Sequence, residues 1–195
     1  MKTTKNILVS CALLVCAFTF TSCEKDDDKK PETPQAPSNP KEVITTVTLL
    51  MEDTLGNLVT ASWKDADADG PGAPVITGLT LKAGMHYDGA VLLLDESKSP
   101  VDTISNEIAE KEAEAHQFFY TAEGGANSRL IVEREDKDKN NQPLGMLIHV
   151  DVSAGGSAAG TLKVVLKHYD GINKSTDPAV GETDVEAVFP VTIQE

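Results

Sequence analysis

From about Glu42 onward, apolar and polar residues alternate with a period of two, the pattern of half-buried strands. Val43, Thr45, Val47 and Leu49 share one face. Leu58 to Trp63 follows across Leu55-Gly56-Asn57, a turn that predicts a hairpin. Val75 to Leu81, Ala90 to Leu94, Phe118 to Thr121, Leu130 to Glu133, Leu144 to Val152 and Thr161 to His168 read as further strands. The cleanest alternation runs from Val185 to Ile193, with Val185, Ala187, Phe189, Val191 and Ile193 inward and Asp184, Glu186 and Thr192 outward. Pro190 falls on the outward face of that strand, which favours a sheet edge or a bulge. One stretch departs from the period. Asp102 to His116 is rich in Glu and Ala, spaces Ile104 and Ile108 four apart, and sets Glu107 and Lys111 for a helical ion pair. The sum predicts an all-β fold over residues 42–195, an immunoglobulin-like β-sandwich of about seven to nine strands with one inserted short helix. Phe118 shares a strand face with His116 and Tyr120, which points to core packing where the helix passes into a strand. Trp63 is expected in the core rather than on a sugar-stacking surface.

The segment before that domain has a different composition. Residues 1–23 carry Lys2 and Lys5, an apolar run from Ile7 to Phe20, and Thr21-Ser22-Cys23, the layout of a secretory signal too short to span a bilayer comfortably. The small pair before Cys23 resembles a bacterial lipobox, with Phe20 where Leu is usual, and implies that Cys23 is lipidated and anchors the chain to a membrane. Cys11 and Cys16 would leave with the signal, so the mature chain has no disulfide to form. Lys25-Asp26-Asp27 resembles the export signal that sends Bacteroidetes lipoproteins to the cell-surface side of the outer membrane. Residues 24–41 are acidic and proline-rich. Pro31, Pro34, Pro37 and Pro40 favour extended polyproline II, a semi-rigid stalk reaching roughly 50 Å. Loss of the two signal lysines takes the formal charge from −14 to −16. Such a surface excludes a nucleic-acid role and favours cations or basic partner surfaces.

Two sets of residues carry candidate chemistry. Asp65-Ala66-Asp67-Ala68-Asp69-Gly70 matches the first half of a calcium loop, in which alternate carboxylates converge on one hard cation. The twelfth position is Ile76 instead of Glu, and Pro71 and Pro74 interrupt the loop. Acids from elsewhere would have to complete the shell around Asp65, Asp67 and Asp69. The second set is histidine-based. Glu112 and His116 stand four apart on the predicted helix, able to face one metal. His-Tyr-Asp-Gly occurs at 86–89 and again at 168–171. If both turns met at one end of the sandwich, His86 and His168 would join His116 in a transition-metal site. The glycine-rich run at 155–160 reads as a flexible hairpin loop and not as a nucleophile elbow. The acids offer no unique pair for glycoside chemistry, so no enzymatic activity is expected.

Several stretches together resemble a family of small Bacteroidetes lipoproteins often encoded beside TonB-dependent outer-membrane receptors. They are Glu42-Val43-Ile44-Thr45-Thr46-Val47-Thr48-Leu49, Asp65-Ala66-Asp67-Ala68-Asp69-Gly70-Pro71, Leu94-Asp95-Glu96-Ser97, Glu114-Ala115-His116-Gln117-Phe118-Phe119-Tyr120 and Gly181-Glu182-Thr183-Asp184-Val185. Members are sometimes labelled as type 1 periplasmic binding folds, which need two α/β lobes, whereas this pattern gives one β-rich domain. The resemblance implies an accessory to nutrient uptake that partners a TonB-dependent receptor, with a metal ion or metal chelate as the expected cargo. The alternative is a structural or adhesive surface module stiffened by calcium and binding another protein.

Overall fold

The computed structural model describes residues 41–68 and 70–195. The expected signal, Cys23, nearly all of the stalk and Asp69 lie outside the described residues. Among the described residues, ten strands form two sheets: β1 (Thr46–Asp53), β2 (Leu58–Lys64), β3 (Val75–Ile76), β4 (Leu79–Lys82), β5 (His86–Leu94), β6 (His116–Gly124), β7 (Leu130–Arg134), β8 (Leu147–Val152), β9 (Ala158–His168) and β10 (Glu182–Gln194). One sheet has the order β3-β2-β1-β5-β8-β7 and the other β4-β10-β9-β6. All pairings are antiparallel except that of β4 with β10. The fold is the expected β-sandwich.

Alternation places the core. Val47, Leu49 and Met51 of β1, Tyr87, Val91 and Leu93 of β5, and Ile148 and Val150 of β8 form the inner face of the larger sheet. Leu162, Val164 and Leu166 of β9, with Val185, Ala187, Phe189, Val191 and Ile193 of β10, face them. Val43 lies ahead of β1 and is exposed. The turn between β1 and β2 is set by Asp53, whose Oδ1 accepts from the backbone N–H of Leu55 and of Asn57, each at 2.9 Å. Gly56, at φ +84°, supplies the left-handed residue that this turn requires.

Four expectations need correction. Val75 to Leu81 is not one strand: the chain steps at Thr77-Gly78 from β3 in one sheet to β4 in the other. A side chain at Gly78 would come within 2.6 Å of the Pro190 carbonyl, so only glycine lets the two segments cross so closely. Pro190 lies inside the smaller sheet, but the β4 pairing begins at Val191, so no registered β4 residue opposes it. The helix is also shorter than the composition suggests. An α-turn, α1 (Ile104–Glu107), passes into a π-helical stretch at Ile108–Glu112. Buried Ile104 and Ile108 plug the core from it, and the chain returns to extended backbone at His116. Finally, residues 153–157 cross from β8 in one sheet to β9 in the other and Ala158 to Gly160 already belong to β9, so the glycine-rich run is not a hairpin loop. The Arg129 guanidinium holds it, donating to the carbonyls of Ser153 at 2.8 Å and Gly155 at 3.3 Å.

Candidate metal centre

His116 opens β6 and His168 closes β9, and the two are direct cross-strand partners. Their rings stack with centroids 4.6 Å apart and planes 28° from parallel. Both are sealed from solvent, at 0% and 2% exposure. Asp184 reaches them from β10. Its Oδ2 is 3.2 Å from His116 Nε2, and its Oδ1 is 3.8 Å from His168 Nδ1.

Asp184 points inward because β10 is irregular there. Strict alternation from Val185 would turn Asp184 outward, as the sequence pattern predicts. The β9 register instead slips between Thr183 and Val185. This is a β-bulge, which puts one extra residue into a strand and re-aims side chains beside it. Asp184 and Val185 are consequently both buried.

The protonation of this cluster is constrained. Nδ1 of His116 lies 3.0 Å from the Glu112 carbonyl, a bond in which the ring nitrogen must donate. Nε2 of a neutral ring is then a bare lone pair facing a carboxylate oxygen. Two acceptors at that separation repel unless a proton or a metal cation lies between them. Burial disfavours the imidazolium, but Asp184, the Glu112 carbonyl and the Glu112 carboxylate outweigh it and hold His116 above its ordinary value. Among the described residues, His116 Nε2, both ring nitrogens of His168, both Asp184 oxygens and Glu112 Oε2 are buried without a hydrogen-bond partner. Each such atom costs about 1–3 kcal/mol if nothing occupies the site.

The donor set suits a borderline divalent metal. Ligand atoms of His116, His168 and Asp184 lie within 4.8 Å of one another. A tetrahedral zinc shell with bonds of about 2.0–2.2 Å would need only modest closure of that triangle. The carbonyl on His116 Nδ1 is the kind of outer contact that fixes which nitrogen a ligating imidazole presents. Glu42, Glu112 and His116 form a second, overlapping group. Burial, and then the neighbouring Glu112 carboxylate, push the Glu42 carboxyl up to about 7.

A cleft of about 400 Å³ reaches this centre from outside, lined among others by Glu42, Trp63, Asp65, Asp184 and Glu186. Glu42, Asp65 and Glu186 line this opening beside Lys41, and the buried Asp184 carboxylate lies behind them with the imidazoles. The two residue sets that looked separate in the sequence thus share one end of the sandwich. Asp65 lines this cleft while its backbone N–H bonds Thr45 O at 2.9 Å. Asp67 is held below the ordinary carboxylate range, by its hydrogen bond with Asp65 first and the Gly72 N–H next. Among the described residues, neither Asp65 nor Asp67 joins a group of three convergent donors.

His86 does not join this centre. It opens β5, and the residues just before it bond the far end of β10, Ala83 N–H to Gln194 O at 2.7 Å. His168 pairs with Glu182 at the opposite end of that strand. The two His-Tyr-Asp-Gly segments, the first within β5 and the second a turn after β9, therefore lie at opposite ends of the sandwich, and they do not meet as expected. His116, His168 and Glu112 are brought together. Sequence reasoning placed Asp184 on the wrong face and passed over Glu42, since neither a bulge nor a contact across the fold leaves a mark in local periodicity.

A buried pair of imidazoles with a carboxylate, at the end of a β-sandwich, is what the fold and site define. No known protein family matches the sequence, and no curated protein matches it. Among solved structures, domains 4 and 5 of the S-layer protein SbsC are similar over 75% of this chain and 77% of that one, at 12% identity and a TM-score of 0.30. Among the described residues no helix is long and apolar enough to cross a membrane.

Proposed function

We propose that this chain is a lipid-anchored, outer-membrane binding module that captures a divalent transition-metal ion for a TonB-dependent receptor. One observation carries the metal reading: His116, His168 and Asp184 converge, fully buried, with their ligand atoms unpartnered among the described residues. The acidic cleft supports a route from solvent, with carboxylates gathering the hydrated ion and imidazoles taking it inside. The anchor at Cys23 and the receptor partner rest on the lipobox and the lipoprotein resemblance.

The closure of the site favours a second reading. Both imidazoles are sealed, so an ion there could lock β6, β9 and β10 together in a structural or adhesive surface module. Release separates the two. The purified mature chain is loaded with zinc and challenged with excess chelator, and metal loss is followed beside hydrogen exchange. Loss within seconds to minutes, without opening of β6 and β9, is expected for a carrier. Loss only at the rate of global unfolding would replace capture by the locking role. Failure of zinc, copper, nickel or cobalt to bind at all would remove both.

A further inference from the structure

Far from that centre, two His-x-Asp triplets lie side by side. They are His86-Tyr87-Asp88 on β5 and His149-Val150-Asp151 on β8. The antiparallel register sets His86 opposite Asp151 and Asp88 opposite His149. Tyr87 and Val150 point into the core, so all four titratable groups stand on the outer face of the larger sheet, in a checkerboard. His149 Nδ1 is 2.7 Å from Asp88 Oδ1, and its Nε2 is 3.3 Å from Asp151 Oδ1. The same Asp151 oxygen is hydrogen-bonded by His86 Nδ1. The imidazoles lie nearly parallel, with centroids 5.9 Å apart and planes 20° from one another.

We propose that His86, His149 and Asp151 form a second, solvent-open site for a divalent transition metal, with Asp88 positioning His149. The ligand atoms of the three lie within 4.8 Å of one another. Each ring nitrogen of His149 faces a carboxylate oxygen, so each contact needs a proton or a metal cation between its atoms. A divalent cation between His149 Nε2, Asp151 and His86 replaces one of those protons and supplies the charge that the carboxylates call for. Two nitrogen donors select the zinc, nickel and copper class over calcium or magnesium. Both imidazoles line a shallow cavity of about 470 Å³ together with Leu50, Leu58 and Ala90. A bound ion there keeps coordination positions for water or an outside ligand. This differs from the sealed centre at the other end and uses none of its residues. The site is built for exchange and not for retention.

Titration of the full mature chain with zinc chloride and copper(II) chloride tests this. The wild type is expected to take up two equivalents. His86→Gln/His149→Gln should lose the weaker one, with affinity there falling at least tenfold, and Asp184→Asn the tighter. Melting of the metal-free double variant should match the wild type, since both side chains reach solvent. In the Asp184→Asn background, copper should give an electron paramagnetic spectrum with coupling to two imidazole nitrogens, lost when His86 and His149 are replaced. Copper binding unchanged in the double variant, or no copper binding in the Asp184→Asn chain, would overturn the proposal. Failure of the sealed centre reads differently: Asp184→Asn would then keep every equivalent the wild type has.

Discussion

Replacing Asp184 by asparagine keeps the shape of the side chain and removes its charge, so it isolates the electrostatic role of the bulge residue. The Asp184 carboxylate stands 3.2 Å from His116 Nε2 and 3.8 Å from His168 Nδ1. Take zinc free at a hundred times the dissociation constant of the wild-type centre. Binding to the folded chain alone then adds about 2.7 kcal/mol. For a domain of roughly 150 residues, at about 2–4 °C per kcal/mol, the melting temperature rises by about 5–11 °C. Loss of one anionic ligand should weaken binding by about 100-fold or more, at the strong end of what changes near a metal cause. At the same zinc concentration the variant retains about 0.4 kcal/mol, or about 1 °C. The substitution also changes the metal-free chain, so the quantity to compare is the increment on adding zinc. Differential scanning calorimetry with and without metal measures it. An Asp184→Asn increment as large as that of the wild type would refute the assignment of these three residues as ligands.

Two further predictions concern the scaffold. Asp138 and Lys174 form an ion pair at 2.9 Å whose side chains are only 1% and 3% exposed. Burial alone would raise Asp138, but Lys174 and the N–H groups of Gln142 and Asn140 hold it below the ordinary range. That stabilisation is present above the unfolded carboxylate value near pH 4 and is lost as pH falls through the lower folded value. Lys174→Met should cost about 3 kcal/mol at pH 7, because it leaves the buried carboxylate uncompensated. In melts across pH, the gap to wild type should narrow as the pH falls through the lowered Asp138 value; a gap unchanged there would show that the lysine acts through packing and its hydrogen bond to the Pro143 carbonyl and not through the ion pair. A side chain at Gly160 would come within 2.2 Å of the Glu123 carbonyl and 2.7 Å of Ala126 N, both backbone atoms. Gly160→Ala should therefore cost about 1–3 kcal/mol in urea unfolding, and an unchanged midpoint would mean that the end of β6 yields freely.

The period-two stretches reported the sandwich well because burial on one face is a local, repeating demand. All five inward residues from Val185 to Ile193 are buried. Glu112 and His116 were legible as a pair, although the helical premise was wrong: His116 already opens β6, and the two meet across the turn that ends the π-helical stretch. The rest of the centre was not. Asp184 faces inward only because β9 and β10 slip by one residue. The His86–Asp151 and Asp88–His149 pairs depend on the register of strands about sixty residues apart in sequence, which local periodicity does not contain. The repeated His-Tyr-Asp-Gly was misleading in the same way: 86–89 is the first part of strand β5, whereas at 168–171 the same residues leave β9 for a turn, at the opposite end of the sandwich.

A single supernumerary residue on β10 means that loss or gain of the sealed centre needs no redesign of the hydrophobic interior. Excising one codon at Asp184 would restore ordinary pairing with Thr183 still outward, leaving the downstream apolar face where it stands. Related chains could thus gain or lose the buried carboxylate beside the two imidazoles through indels alone, and alignments that tolerate a gap at this point would hide the change.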